Sequence, residues 1–178
     1  SGTKKSISIR APKNLPVRPT TDKVKESLFN IISNKFNYDE LIVLDLFSGT
    51  GNISYEFASR GCSEILSIDN NNDCIKFINK TSSILELNIQ TKKIDYEIFL
   101  KNQKKSFDII FADPPYNMDK DKFLKIIALV FERQLLNEHG MLIIEHSKHM
   151  DLSENNFFSY SKKYGGSVFS FYEATENL

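Results

Sequence analysis

Asp45-Leu46-Phe47-Ser48-Gly49-Thr50-Gly51-Asn52 joins two segments of opposite character. The apolar run Leu41–Leu46 before Gly49 has the length of a buried strand. Asn52–Arg60 behind it reads as a helix ended by Gly61. Two glycines one residue apart let the backbone turn sharply, approach a ligand and enter a helix at once. An acidic side chain at the strand end, Asp45, repels a pyrophosphate and suits a cationic ammonium. The third glycine of a dinucleotide fingerprint is missing, because Ser54 stands in its place. A tight strand-to-helix turn without a ligand is the competing reading of this stretch taken alone.

Outward from this turn the chain alternates strand and helix. Ile65–Ile68 is a strand with Asp69 at its end, followed by a helix over Asn72–Leu87. Thr91–Ile94 is a third strand and Tyr96–Leu100 a short helix. Phe107–Ala112 is a fourth strand, stopped by Pro114-Pro115. Lys120–Leu136 is a helix and Met141–Glu145 a fifth strand. Phe157–Tyr164 and Val168–Glu173 flank Gly165-Gly166 as a β-hairpin. Strands interleaved with helices predict a mostly parallel sheet with helices on both faces and an antiparallel C-terminal hairpin. Ligands of such sheets bind at the carboxyl ends of the strands.

Upstream, Ile7–Arg10 alternates like a short strand, and Pro12, Pro16 and Pro19 keep the chain extended. Thr20-Thr21-Asp22 offers N-cap chemistry for a helix whose stripe is Val24, Leu28, Ile31, Ile32 and Phe36. Residues 1–36 therefore read as a basic arm and helix packed on a core domain of residues 37–178.

The 178 residues are 40% apolar and 26% charged, as in an ordinary globular domain. Lys plus Arg and Asp plus Glu are 23 each, which excludes a wholly basic, histone-like binder. The balance is uneven, however: residues 1–35 carry a net +6 and the remainder −6. A basic arm on an acidic body implies an anionic partner, with solvated surface charge as the alternative. No apolar run is long enough for a bilayer, and no signal peptide opens the chain, so a cytoplasmic protein is expected. Ser1-Gly2 reads as the remnant of a cleaved tag. Cys62 and Cys74 read as two reduced core thiols. His139, His146 and His149 do not join them at ligand spacing, so no metal is expected.

Three further strand-end elements carry chemistry. Asp69 follows Gly51 by 18 residues, a spacing that suits a carboxylate accepting ribose hydroxyls; it could equally cap the helix behind it. Asp95 could accept from an adenine amine or cap the next helix. In Asp113-Pro114-Pro115-Tyr116 the prolines fix the backbone so that the Asp113 carboxylate and the Pro114 carbonyl converge on one planar NH₂ group. Tyr116 can stack on the ring that bears it. Two accepted hydrogen bonds would make such an amine more tetrahedral and aim its lone pair at an electrophile.

These elements, in this order, resemble the class I S-adenosylmethionine-dependent methyltransferases, whose Asp-Pro-Pro-Tyr type of motif serves exocyclic amines. Arg18-Pro19-Thr20-Thr21-Asp22-Lys23-Val24-Lys25-Glu26-Ser27-Leu28-Phe29-Asn30 is similar to the segment that marks the RsmD family, bacterial 16S rRNA guanine-N2 methyltransferases. Asp45–Gly51, Lys163–Ser167 and Phe169–Tyr172 resemble that family's cofactor loop and closing hairpin. Members of that family usually begin with a longer basic hairpin, of which Ile7–Arg10 and Lys13 are the expected counterpart in this sequence.

The resemblance implies a Rossmann-like fold with a mostly parallel seven-stranded sheet. It implies S-adenosylmethionine as cofactor, S-adenosylhomocysteine as product and no metal. Asp45, Phe47, Ser48, Gly49, Thr50, Gly51 and Asn52 would enclose the methionine part, with Asp45 facing its ammonium. Asp69 and Asn70 would lie at the ribose and Asp95 at adenine. Asp113, Pro114, Pro115 and Tyr116 would be catalytic. Lys13, Arg18, Thr20, Thr21 and Lys23 would contact RNA. The implied partner is 16S rRNA or an assembling 30S subunit, met by a monomer. Methylation of another exocyclic amine, such as adenine N6, and a non-catalytic RNA-binding module are the alternatives.

Overall fold

The structure, a computed structural model, describes residues 22–174. The expected strand at Ile7–Arg10, and Lys13, Arg18, Thr20 and Thr21, lie outside the described residues. The chain forms two compact units, one reaching to Ile94 and the other starting at Asp95. Among the described residues there are seven strands and five α-helices.

The first unit contains α1 (Asp22–Ser33), β1 (Ile42–Asp45), α2 (Asn52–Ser59), β2 (Glu64–Asp69), α3 (Asn72–Ile84) and β3 (Gln90–Lys93). Its strands run parallel in the order β3-β2-β1. Parallel strands need crossovers, and α2 and α3 supply them. Leu28, Phe29 and Ile32 of α1 are fully buried. Phe29 meets Phe57 of α2 edge-on at 4.7 Å between ring centroids. The Arg60 guanidinium covers the Phe29 ring at 4.8 Å and bonds Glu56 at 2.7 Å. Helix α1 is thus held on the unit by apolar burial and one stacked cation. Phe29 was absent from the sequence stripe, and Phe36 falls beyond the helix end at Ser33. Helix α3 stops at Ile84 rather than Leu87, where Glu86 turns left-handed at φ 54°.

The second unit contains α4 (Tyr96–Asn102), β4 (Phe107–Ala112), α5 (Lys120–Glu132), β5 (Leu136–Ser147), β6 (Phe158–Tyr164) and β7 (Ser167–Glu173). Its strand order is β4-β5-β7-β6. β4 and β5 are parallel, while β7 runs antiparallel to both β5 and β6. The expected antiparallel hairpin is therefore present, with Gly165 at φ 62° in its two-residue turn.

The main correction concerns α5, expected to reach Leu136. It ends at Glu132 because Gln134 adopts φ 53° and Leu135 N–H donates back to the Val130 carbonyl at 2.9 Å. That closure is usually marked by glycine. With glutamine there, Leu135 and Leu136 looked like two more apolar helix positions, and Leu136 instead opens β5. Cys62 and Cys74 are buried and unbonded to each other.

Candidate active site

In the first unit, the β1–α2 connection is fastened to the end of β2. Ser48 donates to the Ile68 carbonyl through both its N–H and its hydroxyl, each at 3.0 Å. Gly49 N–H donates to Asp69 Oδ2 at 2.9 Å, and Asn71 N–H to Asp69 Oδ1 at 2.8 Å. The left-handed φ values of Gly49 (51°) and Gly51 (85°) make this path possible. Gly51 has a second reason to be glycine, since a Cβ there would come within 2.8 Å of the Tyr55 ring. Helix α3 is capped by Asn71, whose Oδ1 accepts from Asp73 and Cys74 N–H groups at 2.8 and 3.2 Å. The cap role weighed for Asp69 thus belongs two residues later, because the chain must first turn at Asn70 before helical φ and ψ begin. Asn70 is exposed, and Phe47 and Asn52 are half-buried.

Asp45 is 1% exposed. Its Oδ2 accepts from the Ser54 hydroxyl at 2.6 Å, and Ser54 Oγ lies 2.7 Å from Ser67 Oγ. Strand register explains the cluster, since Asp45 and Ser67 are paired positions of β1 and β2. Burial pushes the Asp45 carboxyl up to about 7; the Ser54 hydrogen bond opposes the rise and the Asp69 charge adds to it. Ser54 and Ser67 were not foreseen as site residues. The available signals were a serine at the third glycine place and a polar residue inside the apolar run Ile65–Ile68.

The second unit presents its own strand ends. Asp95 Oδ1 accepts from the N–H groups of Glu97 and Ile98 at 2.8 and 3.1 Å, so it caps α4. Asp113 is half-buried and Pro114 buried, while Pro115 and Tyr116 are exposed. Met118 N–H closes a turn onto the Pro115 carbonyl at 2.9 Å, which places Tyr116 at the turn's first inner position. A recess beside this loop is lined by Asp113, Pro114 and Tyr116, by Phe123 of α5, and by Glu145 and His146 of β5. His146 is 5% exposed; its Nε2 lies 2.8 Å from Ser170 Oγ and its Nδ1 lies 3.0 Å from the Ser147 carbonyl. Burial holds its pKa below the ordinary histidine value. A proton on Nδ1 donating to the carbonyl leaves Nε2 to accept from Ser170. The sequence offered a sign here too, a histidine two residues beyond the apolar run Met141–Ile144, but it was weighed only as a metal ligand. Among the described residues no group of three or more His, Cys, Asp or Glu side chains is placed to hold a metal ion. Lys23 is exposed on the first turn of α1.

The donor set fits S-adenosylmethionine. A diol asks for a carboxylate acceptor, and Asp69 presents one whose two oxygens are held in place by the Gly49 and Asn71 N–H groups.

The fold is that of the Rossmann-like class I methyltransferases. The solved structure of yhhF from Escherichia coli matches with a TM-score of 0.82 at 24% identity, over 97% of this chain and 94% of that one. The family model described as Conserved hypothetical protein 95 matches residues 1–173, and the chain belongs to this family, the RsmD family. YlbH of Bacillus subtilis is 38% identical over 159 residues, covering 86% of this chain and 84% of the relative. Ribosomal RNA small subunit methyltransferase D of Buchnera aphidicola subsp. Baizongia pistaciae is 36% identical over 141 residues, covering 78% and 69%.

Proposed function

We propose that this chain transfers a methyl group from S-adenosylmethionine to the exocyclic N2 of a guanine in 16S rRNA, leaving S-adenosylhomocysteine. The observation that carries the reading is the Asp113–Tyr116 loop, which sets a carboxylate and an aromatic ring beside one recess in a chain of the RsmD family. When bound, the cofactor supplies a methyl on a sulfonium, an electrophile that needs no metal.

The protein's own residues then hold and orient. Asp69, with Asn70 beside it, accepts the ribose hydroxyls, and Asp95 meets the adenine amine with acceptor capacity left over from its cap. Asp45, Phe47, Ser48, Gly49, Thr50, Gly51 and Asn52 surround the methionine part. Asp113 accepts one N–H of the guanine amine and the Pro114 carbonyl the other, while Pro115 stiffens the loop and Tyr116 stacks on the base. The amine's delocalised lone pair and its alignment limit the rate, so positioning supplies much of the acceleration. The nitrogen gains the methyl as its bond to the sulfonium sulfur breaks, and the surplus proton of the methylated amine leaves through Asp113 or water. A guanine must leave its stack to reach the loop.

Residues 1–36 form the basic arm and helix, and residues 37–178 the methyltransferase domain. Lys13, Arg18, Thr20, Thr21 and Lys23 hold RNA phosphates. The chain acts as a monomer in the cytoplasm on 16S rRNA or the assembling 30S subunit. No helix among the described residues is long and apolar enough to cross a membrane.

The test is transfer of a labelled methyl group to ribosomal RNA and to 30S particles, with the product base mapped. Label at guanine N2 of 16S rRNA is expected. Label on adenine N6, or none on either substrate, overturns the reading.

A further inference from the structure

Tyr116 and Ser167 are 51 residues apart, yet the Tyr116 hydroxyl lies 3.0 Å from Ser167 Oγ. Ser167 is the first residue of β7, directly after the Gly165-Gly166 turn. Its place is fixed from two sides. It pairs with Ser147 on β5 and with Tyr164 on β6. The turn before it is also tied down, because Lys148 N–H donates to the Gly166 carbonyl at 3.2 Å. The backbone of Tyr116 is equally constrained, by two preceding prolines and by the Met118-to-Pro115 bond. Tyr116 is 45% exposed, so burial alone does not fix the direction of its ring. A hydrogen bond at the far tip of the ring restricts its rotation.

From this geometry we infer that Ser167 is a positioning residue for base capture: it holds the Tyr116 ring in the plane on which the target base stacks. The inference rests on the reading of the Asp113–Tyr116 loop given above. It assigns the closing hairpin a part in the reaction, as the brace of the stacking platform. Its energetic logic is preorganisation, in which a ring already oriented loses less rotamer freedom when the base arrives. It also changes the expectation for a phenylalanine at this position. Stacking area alone would leave Tyr116→Phe fully active, whereas loss of the tether makes it partly defective.

The experiment is a double-mutant cycle on the full chain, read by single-turnover methyl transfer to ribosomal substrate across a range of RNA concentrations. Ser167→Ala and Tyr116→Phe are each expected to lower the saturating rate about three- to tenfold, the size of one net hydrogen bond. The RNA concentration at half-saturation stays put, because phosphate contacts set it. The double variant is no slower than either single one, and Ser167→Thr, which keeps a hydroxyl, recovers the rate. Calorimetric cofactor affinity and stoichiometry remain those of the wild type in all four, which separates a tether from a damaged fold. Additive losses, or a wild-type rate in Ser167→Ala beside a crippled Tyr116→Ala, overturn the role of Ser167 and leave the loop reading intact. A wild-type rate in Tyr116→Ala overturns both, since the ring then captures nothing.

Discussion

Asp69, the last residue of β2, accepts the Gly49 N–H at 2.9 Å and so pins the glycine turn that follows β1. The same carboxylate holds the Asn71 N–H through its other oxygen at 2.8 Å. One side chain thereby shapes both loops at the ends of β1 and β2.

Asp69→Ala is accordingly expected to do two things. Cofactor affinity falls by about 1.5–3 kcal/mol, the range for hydrogen bonds to a charged group. Thermal stability without cofactor falls as well, since two backbone N–H groups lose their acceptor. Calorimetry and a melting curve check the pair. Unchanged affinity with a lowered melting temperature would confine Asp69 to a structural part.

Asp45 carries a pH signature. Its carboxyl titrates near 7 in the folded chain against an ordinary value of 3.8. The folded state therefore binds the extra proton between those values. The stabilisation this provides is fully present below the unfolded value and is lost as pH rises through about 7. Asp45→Asn keeps an acceptor for Ser54 and abolishes the titration. The variant should gain stability over the wild type as pH climbs from about 5 to about 8. Denaturant titrations at several pH values measure the difference; a gap independent of pH would mean that Asp45 is not buried as a carboxyl.

Asp113→Ala should slow methyl transfer by about 10²–10⁴ with cofactor affinity little changed, because the proposed function assigns this residue to the amine and not to the cofactor. Single-turnover rates decide it, and a fully active variant would move the catalytic site elsewhere.

Neutralising Lys13, Arg18 and Lys23 should weaken RNA binding without altering base preference. The salt dependence of the binding constant should flatten by about 0.7–0.9 log units per lost phosphate contact. Titrations at several salt concentrations give the slope. An unchanged slope returns these charges to solvated surface.

Much of this site could be read from the chain itself, for a short-range reason. Gly49 and Gly51 announce a left-handed path that other residues resist, and both adopt it. The Asp113-Pro114-Pro115 run fixes its own backbone, and the strand and helix periods of β1, β2 and β4 lie in consecutive residues. The N-cap reading of Asp95 was equally local, two residues from the N–H it binds. Partners brought together by folding were not legible. Asp69 read as a ribose acceptor or a cap for α3; the sequence did not show that its carboxylate takes the Gly49 N–H besides that of Asn71, because β1 and β2 are neighbours in register. Ser54 looked like a defect in a glycine motif and proved to be the donor to a buried Asp45. The end of α5 depended on Gln134 accepting a conformation that sequence assigns to glycine. His146 and Ser170 met only when β7 was laid against β5, and Tyr116 found Ser167 by the same strand pairing. Backbone conformation is set within a few residues, so the sequence alone determined the strand and helix order and the loops of the site. A side chain's hydrogen-bond partner is set by which strands become neighbours and in what register, and that only the tertiary structure decided.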